Sequence, residues 1–131
     1  MIIRFDNIDK TIWLKKIVQI VEDANNYSKG DTIVLDFSSS IQKANLSPIH
    51  IVTYACLIHF LKIEKGCVVT QGMNNKEVAD FIYDELGLKY YWKGSSHIES
   101  VDTSILNLWR VVREEADLYT NRVEEYFKNN Y

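Results

Sequence analysis

Between positions 36 and 59 the chain gathers side-chain types that do chemistry: Asp36, the hydroxyls of Ser38, Ser39, Ser40 and Ser47, then His50, Cys56 and His59. Asp36, Ser47 and His50 are the residue types of a hydrolytic triad. A nucleophile elbow requires G-x-S-x-G, whereas the chain reads Asn45-Leu46-Ser47-Pro48-Ile49 at that point. Nucleophile, base and oxyanion donors stand at no recognisable spacing, so no catalytic residue is assigned and the chain is not expected to be an enzyme. His50 falls on the first turn of a helix and is expected in solvent. Cys56 and His59 lie three apart and could share a helix face. Two ligands do not make a zinc site and no second pair follows at ligand spacing, so neither a metal nor another cofactor is expected. Glu114 and Glu115 beside Arg110 and Arg113 read as a solvated helix start.

The serines suit another chemistry. In open α/β sheets ligands gather at the carboxyl ends of strands, beside helix N-termini. Ser38, Ser39, Ser40 and Ser47 place hydroxyls next to the positive end of a helix starting at Pro48, where free N–H groups and the macrodipole favour a small anion or a nucleotide phosphate. No glycine lies between Gly30 and Gly66, so a P-loop is absent. The plainer reading is a Ser-rich loop with Ser47 as the helix cap.

These residues must be held by the elements around them. Residues 2–5 form a β-like run. Trp13, Ile17, Ile20, Val21 and Ala24 recur at three and four residues and predict a helix, closed by turn residues 25–30. Residues 32–35 are a short continuous apolar run, as in a strand buried on both faces. Ser47-Pro48 starts a helix and Gly66 stops it. A strand over 67–70 follows, then a helix capped by Asn74 or Asn75 and ended by Gly87. Beyond it come a short aromatic strand over 90–92, a loop over 93–103, a strand-like stretch over 105–112 and a helix over 114–130. Strands alternating with helices build a layered α/β domain.

The Pro48 helix has an unusual composition. Its only polar residues before Lys62 are His50, Thr53 and His59. One apolar face packs on the sheet, and the other needs either a neighbouring helix or a protein partner.

Length and composition bound the rest. The chain has 131 residues, 47% of them apolar and 25% charged, which fits one globular domain with no room for a second catalytic one. Fifteen basic against eighteen acidic side chains leave a net charge of −3, which argues against nucleic acid as a partner. Charges interrupt the first residues where a signal peptide would be apolar, and no run is long enough to span a membrane. Cys56 and Cys67 sit in apolar surroundings and read as two buried thiols in a reducing compartment. A cytoplasmic protein with no membrane contact is expected.

The stretch Asp31-Thr32-Ile33-Val34-Leu35-Asp36-Phe37-Ser38 resembles the strand of STAS domains, the fold of sulfate-transporter tails and anti-sigma-factor antagonists. The helix after it, the break at Gly66, the strand over 67–70 and the segment 78–90 with Leu86-Gly87-Leu88 follow that family's order over residues 1–93. Two features depart from it. The N-terminal hairpin is reduced to one strand. Leu46-Ser47-Pro48-Ile49-His50 replaces the family's Asp-Ser-Ser-Gly stretch, so its phosphorylatable position falls on Pro48 or Ile49. Residues 105–110 and the helix closing in Val123-Glu124-Glu125-Tyr126-Phe127 look like the segment that joins a STAS-like domain to a histidine-kinase-type ATPase domain in some bacterial ATP-binding proteins.

The resemblance implies an α/β fold with a mixed, mainly parallel sheet: a STAS-like core over 1–93, then loop, strand and connector helix of the same domain over 94–131. It implies a non-catalytic regulatory module that contacts a histidine-kinase-type ATPase domain, another regulator or itself. Ser38, Ser39, Ser40, Ser47, His50, Ile51 and Thr53 are the expected contact residues, for a protein partner or, in the alternative, for an anion or nucleotide.

Overall fold

A computed structural model describes residues 1–88, 124, 128 and 129. The chain divides into two units, Met1–Ala79 and Asp80–Tyr131.

The first unit follows the order β1 (Ile2–Phe5), α1 (Lys10–Asp23), β2 (Thr32–Phe37), α2 (Pro48–His59), β3 (Val68–Gln71) and the start of α3 (Lys76–Asp80). The three strands form a parallel sheet in the order β1-β2-β3. Two successive right-handed crossovers in one direction put both connecting helices on the same side of a sheet. Accordingly, α1 and α2 pack against each other.

Local chemistry sets the helix ends. Asp9 caps α1 by accepting from the N–H groups of Thr11 and Ile12 at 3.1 and 3.2 Å. Pro48 occupies the first turn of α2, where its missing N–H costs nothing. A π-helical turn, Phe60–Glu64, extends α2, and Gly66 stops it with φ +69°, a left-handed conformation that glycine adopts without strain.

Register decides what is buried. Phe5 pairs with Phe37, Ile3 with Leu35 and Ile33 with Val69, so all six point to the helix-covered face. Beneath the helices the ring centroids of Phe5 and Trp13 stand 4.4 Å apart, and those of Phe37 and Tyr54 5.2 Å. This aromatic block is the core of the unit.

The other face differs from expectation. The run over 32–35 predicts burial on both faces, yet Thr32 is exposed and Val34 half-buried. Ile2 and Val68, also on this face, are exposed. Parallel strands need cover on both sides to bury such a run, and within this unit both crossovers lie on one side. Cys56 is a second correction. It is exposed on α2, while Cys67 is buried as expected. The apolar neighbours of Cys56 in sequence are distributed around the helix, and Cys56 stands on the side turned from the core.

In the second unit the described residues 81–85 form a π-helical turn, Phe81–Glu85, and Gly87 follows with φ +79°. Ile82 and Leu88 are buried. Residues 124, 128 and 129 are helical, within the helix expected over 114–130. The strands expected over 90–92 and 105–112 lie outside the described residues. Among those described, no helix is long and apolar enough to cross a membrane.

Candidate functional site

The carboxyl ends of the three parallel strands bring together three loops, residues 6–9, 38–47 and 72–75. Every sequence-assigned contact residue lies on the second of these loops or on α2 behind it.

Asp36 sits near the end of the central strand with its side chain on the open face, and is 5% exposed. Its Oδ1 accepts from the N–H groups of Phe37 at 2.9 Å and Asn74 at 3.2 Å. Its Oδ2 receives Arg4 Nη2 at 3.2 Å, from the paired position of β1. A carboxylate this buried needs such donors. Gly72 lets the third loop approach: a Cβ there would stand 2.6 Å from Asp36 Cγ.

Two asparagines tie the third loop to the serine loop. Asn74 Nδ2 donates to the carbonyl of Phe37 at 3.0 Å. Asn75 Nδ2 donates to the carbonyls of Ser38 and Ile41 at 2.9 and 2.7 Å, while its Oδ1 accepts from Val78 N–H at 3.1 Å and so caps α3. The Asn-Asn pair signals that cap in the sequence. Its clamp on a loop thirty-seven residues earlier leaves no local trace.

The expected contact residues separate. Ser39 and Ser40 are exposed, Ser38 is half-buried, and the hydroxyls of Ser38 and Ser40 bond each other at 3.0 Å. Ser47 and Ile51 are half-buried. His50, expected in solvent, is 2% exposed. Its imidazole stands where a capping box has Glu or Gln, accepting the Ser47 N–H on Nδ1 at 2.9 Å. That bond leaves the proton on Nε2, which donates to the Ile8 carbonyl at 2.8 Å. Trp13 meets the ring edge-on at 5.1 Å between centroids. His50 therefore fastens the start of α2 to the loop after β1 and offers a partner no surface. Ser47 Oγ lies 3.0 Å from His50 Nδ1, whose single lone pair already holds the Ser47 N–H.

Thr53 is also committed. Its Oγ1 accepts Trp13 Nε1–H at 2.8 Å and donates to the carbonyl of Ile49 at 2.6 Å. At the start of α2, Pro48 has no N–H, and the N–H groups of His50 and Ile51 bond back to the Ser47 carbonyl at 3.0 and 3.4 Å. An anion docking there meets few outward donors beyond the exposed Ser39 and Ser40.

Tyr54, buried in the core, and the half-buried Gln71 beside it are residues that no sequence signal singles out. The Tyr54 hydroxyl donates to Gln71 Oε1, and Gln71 Nε2 donates to the carbonyls of Leu35 and Gly72 at 3.1 and 3.2 Å. Burial, reinforced by the Asp36 charge and opposed by the Gln71 bond, pushes the Tyr54 phenol far above its ordinary value. Among the described residues no three His, Cys, Asp or Glu side chains converge on a point that could hold a metal.

Among the described residues, exposed apolar side chains stand on α1, on the uncovered face of the sheet and on α2 with the turn that extends it. Ile49, Val52 and Ile63 are 39%, 51% and 60% exposed, and Cys56 is exposed between them. No family model, curated protein or solved structure gives a significant match to the chain.

Proposed function

We propose that the chain is a STAS-like regulatory module that works by protein contact and carries out no bond chemistry, with the outer face of α2 as its contact surface. The observation that carries this reading is the exposed apolar stripe Ile49, Val52, Cys56 and Ile63, on a helix with no charged residue from Pro48 to Leu61. Apolar surface collected on one helix face marks an interaction site. The clamped loops support it. With His50, Asp36, Asn74 and Asn75 all engaged in holding the strand ends together, the polar groups of this edge serve as a frame that fixes the angle of α2. The partner class is the one the resemblance implies, a histidine-kinase-type ATPase domain.

Calorimetric titration of the chain with such a domain tests the reading. Binding heat is expected, and Val52→Asp is expected to abolish it. Val52 is the suitable probe because it is half-exposed, whereas a charge at Thr53 would also break the Trp13 bond. Binding unaffected by Val52→Asp would overturn the placement of the surface. Nucleotide turnover by the purified chain, abolished by Ser47→Ala, would overturn the non-catalytic reading.

A further inference from the structure

We infer that His50 is a proton-operated latch at the start of α2: as neutral imidazole it holds the Ser47 N–H, and as imidazolium it exchanges that N–H for the Ser47 hydroxyl. The inference stands apart from the reading of α2 as a contact surface and does not depend on it. Two atoms of one residue lie within hydrogen-bond reach of a single ring nitrogen. From Nδ1 the Ser47 backbone nitrogen is 2.9 Å away and Ser47 Oγ 3.0 Å. They suit opposite states of the ring. A backbone N–H only donates, so it needs the bare lone pair of a neutral ring. A hydroxyl carries two acceptor lone pairs, so it can take the proton of a charged one.

The other half of the ring is the same in both states. Nε2 carries a proton whether the ring is neutral or charged, so it keeps the Ile8 carbonyl at 2.8 Å. With both nitrogens bonded and the ring 2% exposed, a proton that arrives on Nδ1 must be shared with Ser47. Ser47 itself is half-buried, so the N–H it gives up can turn to water. The exchange therefore loosens the first turn of α2 and leaves its tie to the loop after β1 in place.

The partners of the ring are uncharged, so the latch works through donors and acceptors. From the loop after β1 the ring faces a carbonyl, while Asp6 and Asp9 of that loop are exposed and Asp9 caps α1. From α1 it faces Trp13, and Lys10 at the start of that helix is exposed. Lys43 on the serine loop is exposed as well. One turn further along α2 stands the Tyr54 phenol, which is bonded to Gln71. Asp36 lies on the open face of the sheet, paired with Arg4. Histidine is the side chain whose charge ordinarily changes between about pH 5 and 8, which suits it to such a latch.

Side-chain nitrogen NMR of the full chain, labelled at histidine, tests this from neutral to acid pH, together with amide hydrogen exchange at Ser47. The chain has three histidines, and His59→Gln and His97→Gln identify the His50 signals by elimination. At neutral pH Nε2 is expected to be protonated and Nδ1 bare. In acid, while circular dichroism still reports the fold, Nδ1 is expected to gain a proton. The Ser47 amide should then lose about two- to tenfold of its protection relative to the unfolded chain at the same pH, which is what one hydrogen bond contributes. Amides in the middle of α2 should keep theirs. Ser47→Ala leaves the imidazolium without its acceptor, so its urea midpoint should fall further between neutral and acid pH than that of the native chain. A bare Nε2 at neutral pH overturns the inference, as does a ring that gains no proton until the chain unfolds. So does a protonated ring with Ser47 protection unchanged, or a Ser47→Ala chain no more sensitive to acid than the native one.

Discussion

Replacing Gly72 by Ala tests whether the loop after β3 is seated on Asp36. The new Cβ would stand 2.6 Å from Asp36 Cγ and 2.8 Å from both its Cβ and its Oδ1. Normal carbon contacts begin at about 3.5 Å, so the overlap approaches an ångström. Neither side yields freely. The Gly72 N–H is bonded to the Leu35 carbonyl at 2.7 Å, and Asp36 is held by Phe37, Asn74 and Arg4. Overpacking of this kind costs about 1–3 kcal/mol. Swinging the carboxylate aside instead breaks hydrogen bonds to a charged group, at about 1.5–3 kcal/mol. The cheaper route sets the cost, so Gly72→Ala is expected to destabilise by about 2 kcal/mol. Asp36→Gly removes the three atoms nearest the added Cβ, and in its presence the substitution at position 72 is expected to cost less. Urea unfolding followed by circular dichroism, on both single variants and the double, gives the coupling. The double variant should be about 1–3 kcal/mol more stable than the sum of the singles predicts. Additivity within about 0.5 kcal/mol would refute the seat.

Two further outcomes follow from burial. Tyr54 is held as a neutral phenol in the fold, whereas in the unfolded chain it ionises near the ordinary tyrosine value of about 10. The unfolded state then binds fewer protons, so stability should fall as pH rises above about 10, and Tyr54→Phe should flatten that fall in urea midpoints measured from neutral to alkaline pH. Thiol titration with a disulfide reagent should show Cys56 reacting at once and Cys67 only slowly in the native chain, with both fast in denaturant. Cys67 is buried, and burial, with the Asp31 charge adding and Lys65 opposing, raises its thiol above the ordinary value. A fast native Cys67 would show that the start of β3 opens in solution.

The sequence by itself determined the succession of elements in the described residues. Ser47-Pro48, Gly66, the Asn pair and the apolar periodicities act within a few residues of where they stand, so their meaning survives without the fold. The strand over 67–70 shifted by a single residue, to Val68–Gln71. The fates of individual side chains were decided elsewhere. His50 reads as a solvated first-turn residue until the loop after β1, forty-two residues away, brings up the Ile8 carbonyl. Asp36 reads in sequence as a chemistry-bearing carboxylate, and only when β2 and β3 lie side by side in parallel does it become the seat of Gly72. Cys56 and Cys67 have similar apolar neighbours, yet one faces outward and the other inward. Which face of the sheet stays open, and which side of an almost wholly apolar α2 looks out, depend on both crossovers having one hand. Periodicity and capping are local and can be read along the chain. Burial is a property of what arrives from elsewhere, and only the tertiary structure decided it.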